Sequence, residues 1–362
     1  MTLADEFRGN DEDDDPRIAK LEETTIKTRR ERDAARRAQR AAVARADVAE
    51  NKLELIEAAL ATPIKPAPKW TKPRGKAKRG SEAIVCTLLS DAHFDEVVNP
   101  DEVNGMNAYD RRIATLRLRR FFDKVASLPT QYLNGPSYKG VVVFMGGDML
   151  SGDIHDELAQ TNESTPMGTC LYWSEQIGAG LRMLSEVYPK VHVVSVCGNH
   201  GRRTPRERMK MRAIDNFDFL MAQLSQRTVQ DIGNVTWDIP AEADARLDVY
   251  STRYLLTHGN LGFGGGGGVA GLMPAIARGW QKRQQRDAAT DPFDVLLCGH
   301  WHQLKWGGQF IVNGSLKGMD EYAYMQSFGA EPPQQALWVV TPEHGPSWHM
   351  PIMVCDRQAE GW

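Results

Sequence analysis

Five short apolar runs, each followed directly by a polar cluster, constrain the fold of this chain more than any other feature. The runs cover residues 83–89, 141–145, 191–196, 253–257 and 295–298. Each has the length of a buried strand, and segments with helical patterns lie between them, so the sequence predicts an α/β fold. The polar clusters follow the runs on the carboxyl side, which is where α/β sheets place their ligand sites.

The remaining elements of this fold are also predicted from pattern. Connecting helices are predicted over residues 109–126, 168–187, 206–226 and from about 270 to 283. Closing strands are predicted over residues 310–312, 336–341 and 348–354. The folded domain is therefore predicted to span residues 82–362, a length that is ample for a large core.

The five polar clusters offer oxygen and nitrogen ligands of the kind that bind metal ions. In chain order they read Asp91-x-His93, Gly147-Asp148, Gly198-Asn199-His200, His258 and Gly299-His300-x-His302. A mixture of carboxylate, amide and imidazole ligands suits Mn²⁺, Fe or Zn²⁺. The number of ligands fits two ions that share one carboxylate. The sequence therefore predicts two divalent metal ions where the strands end.

In type and order, these clusters resemble those of the calcineurin-like metallophosphoesterase superfamily, over about residues 83 to 315. The superfamily includes protein phosphatases, cyclic-nucleotide phosphodiesterases and nucleases of double-strand-break repair. The resemblance implies a layered α/β/β/α sandwich with mixed sheets. The residues that precede this domain are expected to add an N-terminal helical or coiled appendage. The resemblance also implies hydrolysis of phosphate esters by a hydroxide that two metal ions share and that attacks phosphorus.

The resemblance assigns a role to each residue of the clusters. One ion would be held by Asp91, His93, Asp148 and His302, and the other by Asp148, Asn199, His258 and His300. Asp148 would bridge the two ions, and the favoured metal is Mn²⁺, with Fe, Zn²⁺ and Mg²⁺ as alternatives. His200 would not be a ligand. Its implied role is catalytic, because it would stabilise charge on the substrate or protonate the leaving oxygen.

This sequence departs from the family pattern directly after His200. The family often has an acidic residue there, whereas this chain has Gly201. Another group must therefore orient the imidazole, and Asp153 and Asp156 are the candidates that the sequence offers. The departure bears on the acid–base chemistry and leaves the expectation of metal binding unchanged.

Three further residues are candidates for contact with substrate. Arg202 and Arg203 could grip phosphate oxygens with bidentate geometry, or they could be solvated loop charges. His155 follows the second cluster and could face the substrate. The glycine-rich loop over residues 262–268, the segment 151–157 and the segment 313–318 together look like those of bacteriophage-encoded members of the superfamily.

The first 81 residues have a different composition from the rest of the chain. Residues 1–16 carry an acidic run and are predicted to be disordered. Residues 17–61 lack glycine and proline and predict a long charged helix, either a coiled coil that self-associates or binds a partner, or a single solvated helix. Residues 62–81 are rich in proline and basic residues, and either contact DNA or serve only as a linker.

Two observations on composition bear on location. The five cysteines are few and odd in number, and three of them lie in strand-like runs, which indicates buried, reduced thiols. The sequence has no apolar run of the length that a membrane span needs, so no membrane partner is expected. We therefore expect a cytoplasmic protein, in the host cytoplasm if it is phage-encoded.

Three functions remain open at this point. The first is a phosphodiesterase or nuclease acting on DNA, which the basic segment and the arginines favour. The second is a phosphomonoesterase acting on a protein or a small molecule, which would use the same core chemistry. The third is a structural or DNA-tethering protein in which the metal site is vestigial.

Overall fold

The computed structural model describes residues 27–29, 31–40, 42–43, 82–133, 135–264 and 271–362. The chain divides into two units, Met1–Thr62 and Pro63–Trp362. The described residues of the first unit, 27–29, 31–40 and 42–43, are all helical. The predicted acidic tail, the remainder of the predicted helix over 17–61 and the basic segment up to residue 81 lie outside the described residues.

The described part of the second unit contains eleven strands and seven helices. The strands are β1 (Glu82–Leu89), β2 (Ser137–Met145), β3 (Val191–Ser195), β4 (Val235–Asp238), β5 (Ala245–Val249), β6 (Thr252–Leu256), β7 (Val295–Cys298), β8 (Lys305–Trp306), β9 (Phe310–Val312), β10 (Gln334–Thr341) and β11 (Gly345–Met353). The helices are α1 (Arg111–Tyr132), α2 (Asp156–Thr161), α3 (Pro166–Val187), α4 (Phe217–Thr228), α5 (Met273–Asp287), α6 (Glu321–Met325) and α7 (Arg357–Glu360).

The strands form two mixed sheets. The first has the order β11-β10-β1-β2-β3-β4, in which β1 to β4 are parallel and β10 and β11 are antiparallel to their neighbours. The second has the order β5-β6-β7-β9-β8, in which β6, β7 and β9 are parallel and the two edge strands are antiparallel. The parallel strands of each sheet end at the same edge, so residues that follow them are brought close together.

The core shows how the two sheets are layered. Alternate side chains of β1 point to opposite faces of the first sheet, as in any strand. Val85 and Leu89 pack in one cluster with residues of α1, α3 and α4. Ile84 and Leu88 pack in a second cluster with residues of β5, β6 and β7. A third cluster, which includes Ile276 of α5, covers the outer face of the second sheet. The predicted α/β/β/α sandwich is therefore confirmed.

The five predicted strands that precede the polar clusters are all present, but other boundaries differ. Residues 206–216 form turns, and α4 begins only at Phe217. The side chain of Asn216 accepts a hydrogen bond from the backbone of Asp218 and so caps the helix at that point. The prediction of one helix over 206–226 was wrong, because most residues over 206–212 are charged, most are exposed, and the cap at Asn216 starts the helix only at Phe217. Conversely, α1 continues past residue 126 through Pro129 to Tyr132.

Two further findings concern the predictions from composition. All five cysteines, which lie in the described part of the chain, are free, and all but Cys355 are buried. Among the described helices, none has the length and apolar character that crossing a membrane would require.

Candidate metal centre

The polar clusters meet because backbone hydrogen bonds join the strand ends to one another. The N–H of Asp91 donates to the carbonyl of Gly147 at 3.1 Å, which joins the ends of β1 and β2. The N–H of His300 donates to Oδ1 of Asp91 at 2.8 Å, which joins the second sheet to the first. Gly299 donates in turn to the carbonyl of His258 at 2.9 Å. The candidate centre therefore lies across the edges of both sheets.

Five residues of the clusters adopt backbone conformations that side chains other than glycine rarely adopt. Their φ angles are 53° at Asp91, 46° at His93, 49° at Asp148, 69° at His300 and 53° at His302. Such conformations cost free energy and persist where the surrounding structure holds them, often at functional sites. The strain turns the chain sharply out of each strand, so that side chains from separate strands face one another.

The first ligand group consists of Asp91, His93 and His302. Their candidate ligand atoms all lie within 4.8 Å of one another. The Nε2 atoms of His93 and His302 are 3.2 Å apart, and Nε2 of His302 lies 3.4 Å from Oδ1 of Asp91. The first two residues are buried, and His302 is partly exposed, so this group opens to solvent on the side of His302.

The second ligand group consists of Asp148, His258 and His300, with Asn199 beside them. The candidate ligand atoms of the first three lie within 4.8 Å of one another. Nε2 of His258 is 2.9 Å from Oδ2 of Asp148 and 3.1 Å from Oδ1 of Asn199. The rings of His258 and His300 are in edge contact, with centroids 5.2 Å apart.

A third group links the other two. Ligand atoms of His93, Asp148 and His200 also lie within 4.8 Å of one another. His93 belongs to the first group and Asp148 to the second, so the two groups are adjacent. The seven residues that the sequence suggested as ligands are thus brought together, and Asp148 lies where a shared ligand would have to lie.

The second group has the electrostatics of a cation site. Nδ1 of His258 lies 2.8 Å from the carbonyl oxygen of Gly146, which can only accept, so Nδ1 carries the proton. In neutral His258, Nε2 is then a lone pair that faces oxygen acceptors of Asp148 and Asn199. Burial lowers the pKa of His258, but the Asp148 carboxylate more than offsets this and raises the pKa to about 9. A positive charge is therefore favoured at this point, as a proton or as a metal ion.

The other groups of the centre have the protonation states that metal binding requires. Burial, followed by the charge of His258, lowers the pKa of His300 to about 3. Burial, followed by the charge of Lys317, lowers the pKa of His93 to about 4. Burial opposes ionisation of Asp91, but its contact with His302 offsets this, and the pKa of Asp91 is lowered. Neutral imidazoles and ionised carboxylates are the forms that bind divalent ions.

The charges around Asp148 also favour its ionised form. Burial opposes its ionisation, but the charges of His258 and His200 hold its pKa well below the ordinary value. The donor set of two carboxylates, one amide oxygen and four imidazoles thus fits two divalent ions of the Mn²⁺, Fe or Zn²⁺ type.

A buried ion cluster, consisting of Glu96, Lys317 and Asp320, lies behind His93. Oε2 of Glu96 is 3.3 Å from Nδ1 of His93, although no hydrogen bond of good geometry joins them. Nζ of Lys317 lies 2.7 Å from Oε1 of Glu96 and also contacts Asp320. Burial opposes the ionisation of Glu96, but Lys317 more than offsets it, and the pKa of Glu96 is lowered. The negative charge of Glu96 favours the imidazole proton on Nδ1, the nitrogen that lies nearest to it, which leaves Nε2 of His93 free as a candidate ligand.

A second buried carboxyl group, Asp218, organises the turns that follow β2 and β3. Its Oδ2 accepts hydrogen bonds from the N–H groups of Asp148, at 3.0 Å, and Gly198, at 2.8 Å. Its Oδ1 accepts from the N–H of Met149 at 3.0 Å. The two turns are so close that a Cβ on Gly147, whose φ is +87°, would lie 2.3 Å from the nitrogen of Gly198. Sequence reasoning missed both Asp218 and the ion cluster behind His93.

A backbone carbonyl orients His200, in place of the acidic residue that the family often has. Nδ1 of His200 lies 2.8 Å from the carbonyl oxygen of Ser151, which accepts the Nδ1 proton. The backbone N–H of His200 donates to Oδ1 of Asp148 at 2.7 Å. The suggestion that Asp153 or Asp156 orients this ring was therefore wrong. The sequence gives no sign of this contact, because every residue has a backbone carbonyl.

Arg202 lies beside the centre, but its donors are engaged by its own loop. Its Nη1 donates to the carbonyl of Asn199 at 2.7 Å, its Nε to Thr204 at 3.0 Å and its Nη2 to Pro205 at 3.1 Å. In this arrangement the guanidinium holds the loop against Asn199.

The other two candidate substrate-binding residues differ in how close they lie to the candidate centre. Arg203 is exposed and forms an ion pair with Asp215, with Nη1 and Oδ1 2.7 Å apart. The ring of His155 lies beside that of His200, with centroids 6.3 Å apart. His155 is thus at the rim of the centre, whereas Arg203 is held in the loop beyond it.

Comparison with known proteins gives a limited result. No protein-family model matches the chain, and no curated protein matches it. Among solved structures, the chain is similar to a single mutant of Vps29 from Entamoeba histolytica, with 12% identity, a TM-score of 0.29, and 74% of this chain and 98% of that chain covered. Vps29 from Cryptosporidium parvum gives 12% identity and a TM-score of 0.30, with 75% of this chain and 98% of that chain covered.

A third similar structure is the sulfate thiohydrolase SoxB of Thermus thermophilus in complex with glycerol. It gives 10% identity, a TM-score of 0.29, and coverage of 77% of this chain and 58% of that chain. Identities and TM-scores this low carry no argument about family or activity. The proposal for the function therefore rests on the geometry of the chain's own residues.

Proposed function

We propose that this protein is a metal-dependent phosphodiesterase that acts on DNA and uses two divalent ions. The observation that carries the proposal is the pair of adjacent ligand groups that Asp148 and His93 connect, with His200 next to both. A pair of divalent ions in such a site supplies Lewis acidity and makes a water molecule acidic enough to act as a nucleophile at neutral pH.

Each ion would have its own set of ligands, and the two sets share Asp148. The first ion would be held by Asp91, His93, Asp148 and His302, and the second by Asp148, Asn199, His258 and His300. Only two of these seven residues are negatively charged, so two divalent ions leave a net positive charge that attracts a phosphate group. Asn199 contributes to this balance because it offers a neutral oxygen where a carboxylate would cancel charge.

His200 is proposed to move a proton at Nε2. The Ser151 carbonyl accepts the Nδ1 proton in both charge states of the ring, so Nε2 is the atom that gains or loses a proton. A protonated Nε2 can donate to the oxygen of the leaving group, which is a general-acid role. The contact of His200 N–H with Asp148 fixes the ring relative to the centre.

The choice of DNA over a small phosphate monoester rests on charge. The loop that follows His200 is rich in arginine and lysine, and the segment over residues 62–81 contains seven basic residues and no acidic residue. Phosphate backbones bind such surfaces by release of counterions.

An activity panel tests the proposal. The Mn²⁺-loaded full chain is given bis-p-nitrophenyl phosphate, p-nitrophenyl phosphate and end-labelled DNA, with a chelator as the control. We expect release from the diester and cleavage of DNA, and little release from the monoester. Strong monoester hydrolysis with DNA intact would replace the proposal with a phosphomonoesterase. A chain that binds Mn²⁺ and leaves all three substrates intact would point to a structural protein with a vestigial site.

A further inference from the structure

Two exposed surfaces of different chemistry flank the candidate centre. The first, which we name the basic loop, consists of residues 202–212 and follows His200. The second, which we name the aromatic platform, consists of Tyr322 and Phe328 in and after α6. Neither surface has a part in holding the ions or in orienting His200, so each needs a separate explanation.

The basic loop lies on the side of the second ligand group. At its start, Nη1 of Arg202 donates to the carbonyl of Asn199. At its end, Nη2 of Arg212 lies 2.9 Å from Oδ1 of Asn260, two residues beyond His258. Both ends of the loop are therefore held against residues that carry or adjoin candidate ligands.

The middle of the basic loop carries positive charge that is not paired with any acidic side chain in the described part of the chain. Arg206, Arg208 and Lys210 are exposed, and none of the three side chains forms an ion pair with any residue that the structure describes. By contrast, the neighbouring Arg212 is paired with Glu207 at 2.6 Å. A cavity of about 420 Å³ lies within the loop and reaches Gly198, the residue before Asn199. Unpaired basic side chains beside a phosphodiesterase centre are suited to bind phosphate groups of a strand.

The aromatic platform consists of two rings that the fold leaves in solvent. Tyr322 is 64% exposed and Phe328 is 52% exposed. The rings meet edge to face, with centroids 5.9 Å apart and an interplanar angle of 84°. Met325, which is 77% exposed, extends the apolar surface. Exposed rings of this kind are suited to stack on nucleobases.

The aromatic platform lies on the side of the first ligand group. A Cβ on Gly329 would lie 3.5 Å from Nε2 of Gln303, so the chain after Phe328 runs against the residue that follows His302. Oε2 of Glu331 then accepts a hydrogen bond from the N–H of Leu304 at 2.8 Å. These contacts hold the segment after the platform against the chain that leaves the first ligand group.

We propose that the basic loop and the aromatic platform together bind single-stranded nucleic acid across the centre. The phosphates would lie on Arg206, Arg208 and Lys210, and unstacked bases would lie on Tyr322 and Phe328. A duplex could satisfy the basic loop, but its bases are stacked on each other and cannot cover the platform. The proposal rests on the proposed function, because it names the form of nucleic acid that the diesterase centre would receive.

Binding of labelled oligonucleotides tests the proposal. The Mn²⁺-loaded full chain is titrated against phosphorothioate oligo(dT) of roughly 20 nucleotides, which resists cleavage, and against the matching duplex. Fluorescence anisotropy gives the Kd at several salt concentrations. We expect the single strand to bind about tenfold more tightly than the duplex, because only its bases can stack on the aromatic platform.

Two variants separate the contributions of the surfaces. Because each phosphate contact to a single strand contributes about 0.7 to the slope of log Kd against log salt concentration, the triple variant Arg206→Gln, Arg208→Gln, Lys210→Gln should lower that slope by about 2. The double variant Tyr322→Ala, Phe328→Ala should weaken single-strand binding by about tenfold or more, leave the salt slope unchanged and bring the strand and duplex affinities together.

Matched control variants are taken from surfaces away from the centre. Arg119→Gln, Lys139→Gln and Arg182→Gln remove three exposed basic residues, and Tyr132→Ala removes an exposed ring at the end of α1. Both controls should bind the single strand as the unaltered chain does. Equal losses in control and test variants would overturn the proposal, since non-specific charge or loss of folding would then explain them.

The remaining outcomes separate this proposal from the proposed function. Equal affinity for strand and duplex, unaffected by the loss of Tyr322 and Phe328, would overturn the preference for single strands. Hydrolysis of bis-p-nitrophenyl phosphate without binding of any oligonucleotide would overturn the proposal and leave a diesterase for other substrates. Tight, variant-sensitive binding of the strand without hydrolysis of any diester would keep the binding surface and overturn the proposed function.

Discussion

The two halves of the candidate centre differ in what lies behind their histidines. In the first half, the ionised carboxylate of Glu96 lies behind His93, and buried Lys317 keeps that carboxylate charged. In the second half, the group behind His258 is the neutral carbonyl of Gly146. Both arrangements place the proton on Nδ1 and leave Nε2 for an ion.

The difference concerns charge as well as orientation. A carboxylate behind an imidazole makes the ring a stronger donor to a metal, whereas a carbonyl mainly fixes the ring. The first half also has Asp91 as a candidate ligand, where the candidate ligand of the second half is neutral Asn199. We therefore expect the first half to bind its ion more tightly than the second, and the predictions below test that comparison.

The largest effect is expected at the residue that the halves share. Asp148→Ala removes a ligand from both ions, so we expect loss of both ions and a fall in diester turnover of more than about a thousandfold. Metal content after gel filtration and the initial rate with bis-p-nitrophenyl phosphate measure the two effects. Asp153→Ala, which removes an exposed carboxylate nearby, is the matched control and should behave as the unaltered chain does. Two retained ions in Asp148→Ala would contradict the shared role.

The next largest effect is expected at a residue that belongs to neither half as a ligand. His200→Ala should retain both ions while turnover falls by about 10²–10⁴-fold, since a positioned general acid contributes rate enhancement of that size. The same metal and rate measurements apply. Loss of an ion in this variant would show that His200 is a ligand, which its place in the third group permits. Unchanged turnover would remove its role as an acid.

The comparison itself is tested by removing the charge behind one half only. Glu96→Gln keeps the shape of the side chain and should lower the affinity for the ion at His93 by about 10–100-fold, which is the usual effect of altering a residue behind a metal ligand. The affinity for the other ion should change little. Calorimetric titration with Mn²⁺ gives the two affinities. Asp287→Asn, in an ion cluster with Arg246 and Arg286, is the matched control and should leave both affinities unchanged. Equal weakening of both ions by Glu96→Gln would remove the distinction between the halves.

The smallest effect is expected at the support that the two halves have in common. Asp218→Asn places an amide N–H₂ against backbone donors of Asp148, Met149 or Gly198 in either orientation of the side chain. We expect the free energy of unfolding to fall by about 1–3 kcal/mol, which is the cost of an unsatisfied buried polar group. Urea unfolding measures it, with the exposed Asp123→Asn as control. Unaltered stability would show that these hydrogen bonds are not what holds the two turns.

Local patterns in the sequence predicted the parts of the fold that depend on neighbouring residues. The run before Asp148 is apolar, and glycine and aspartate follow it, so a strand and its polar end could be predicted together. Strand β5 was not predicted, although Ala245, Leu247 and Val249 alternate as buried residues. The charged residues between them, Arg246 and Asp248, made the apolar pattern hard to recognise.

The supports of the centre could not be predicted because they join residues that are distant in the sequence or are backbone atoms. Glu96 and Lys317 are 221 residues apart, and nothing near either residue indicates the other. Asp218 lay within a stretch whose composition predicted a continuous helix. The carbonyls of Gly146 and Ser151 have no signature in the sequence, since only the fold decides which carbonyl faces an imidazole.

The proposed centre requires that one set of seven residues hold two ions. Crystals of the full chain grown with Mn²⁺, with diffraction measured near the manganese absorption edge, test it directly. Two anomalous peaks about 3.5–4 Å apart are expected. One peak should lie at Asp91, His93 and His302, the other at Asn199, His258 and His300, and Asp148 should contact both. A single peak, or peaks away from these residues at saturating Mn²⁺, would show that these seven residues do not hold two ions.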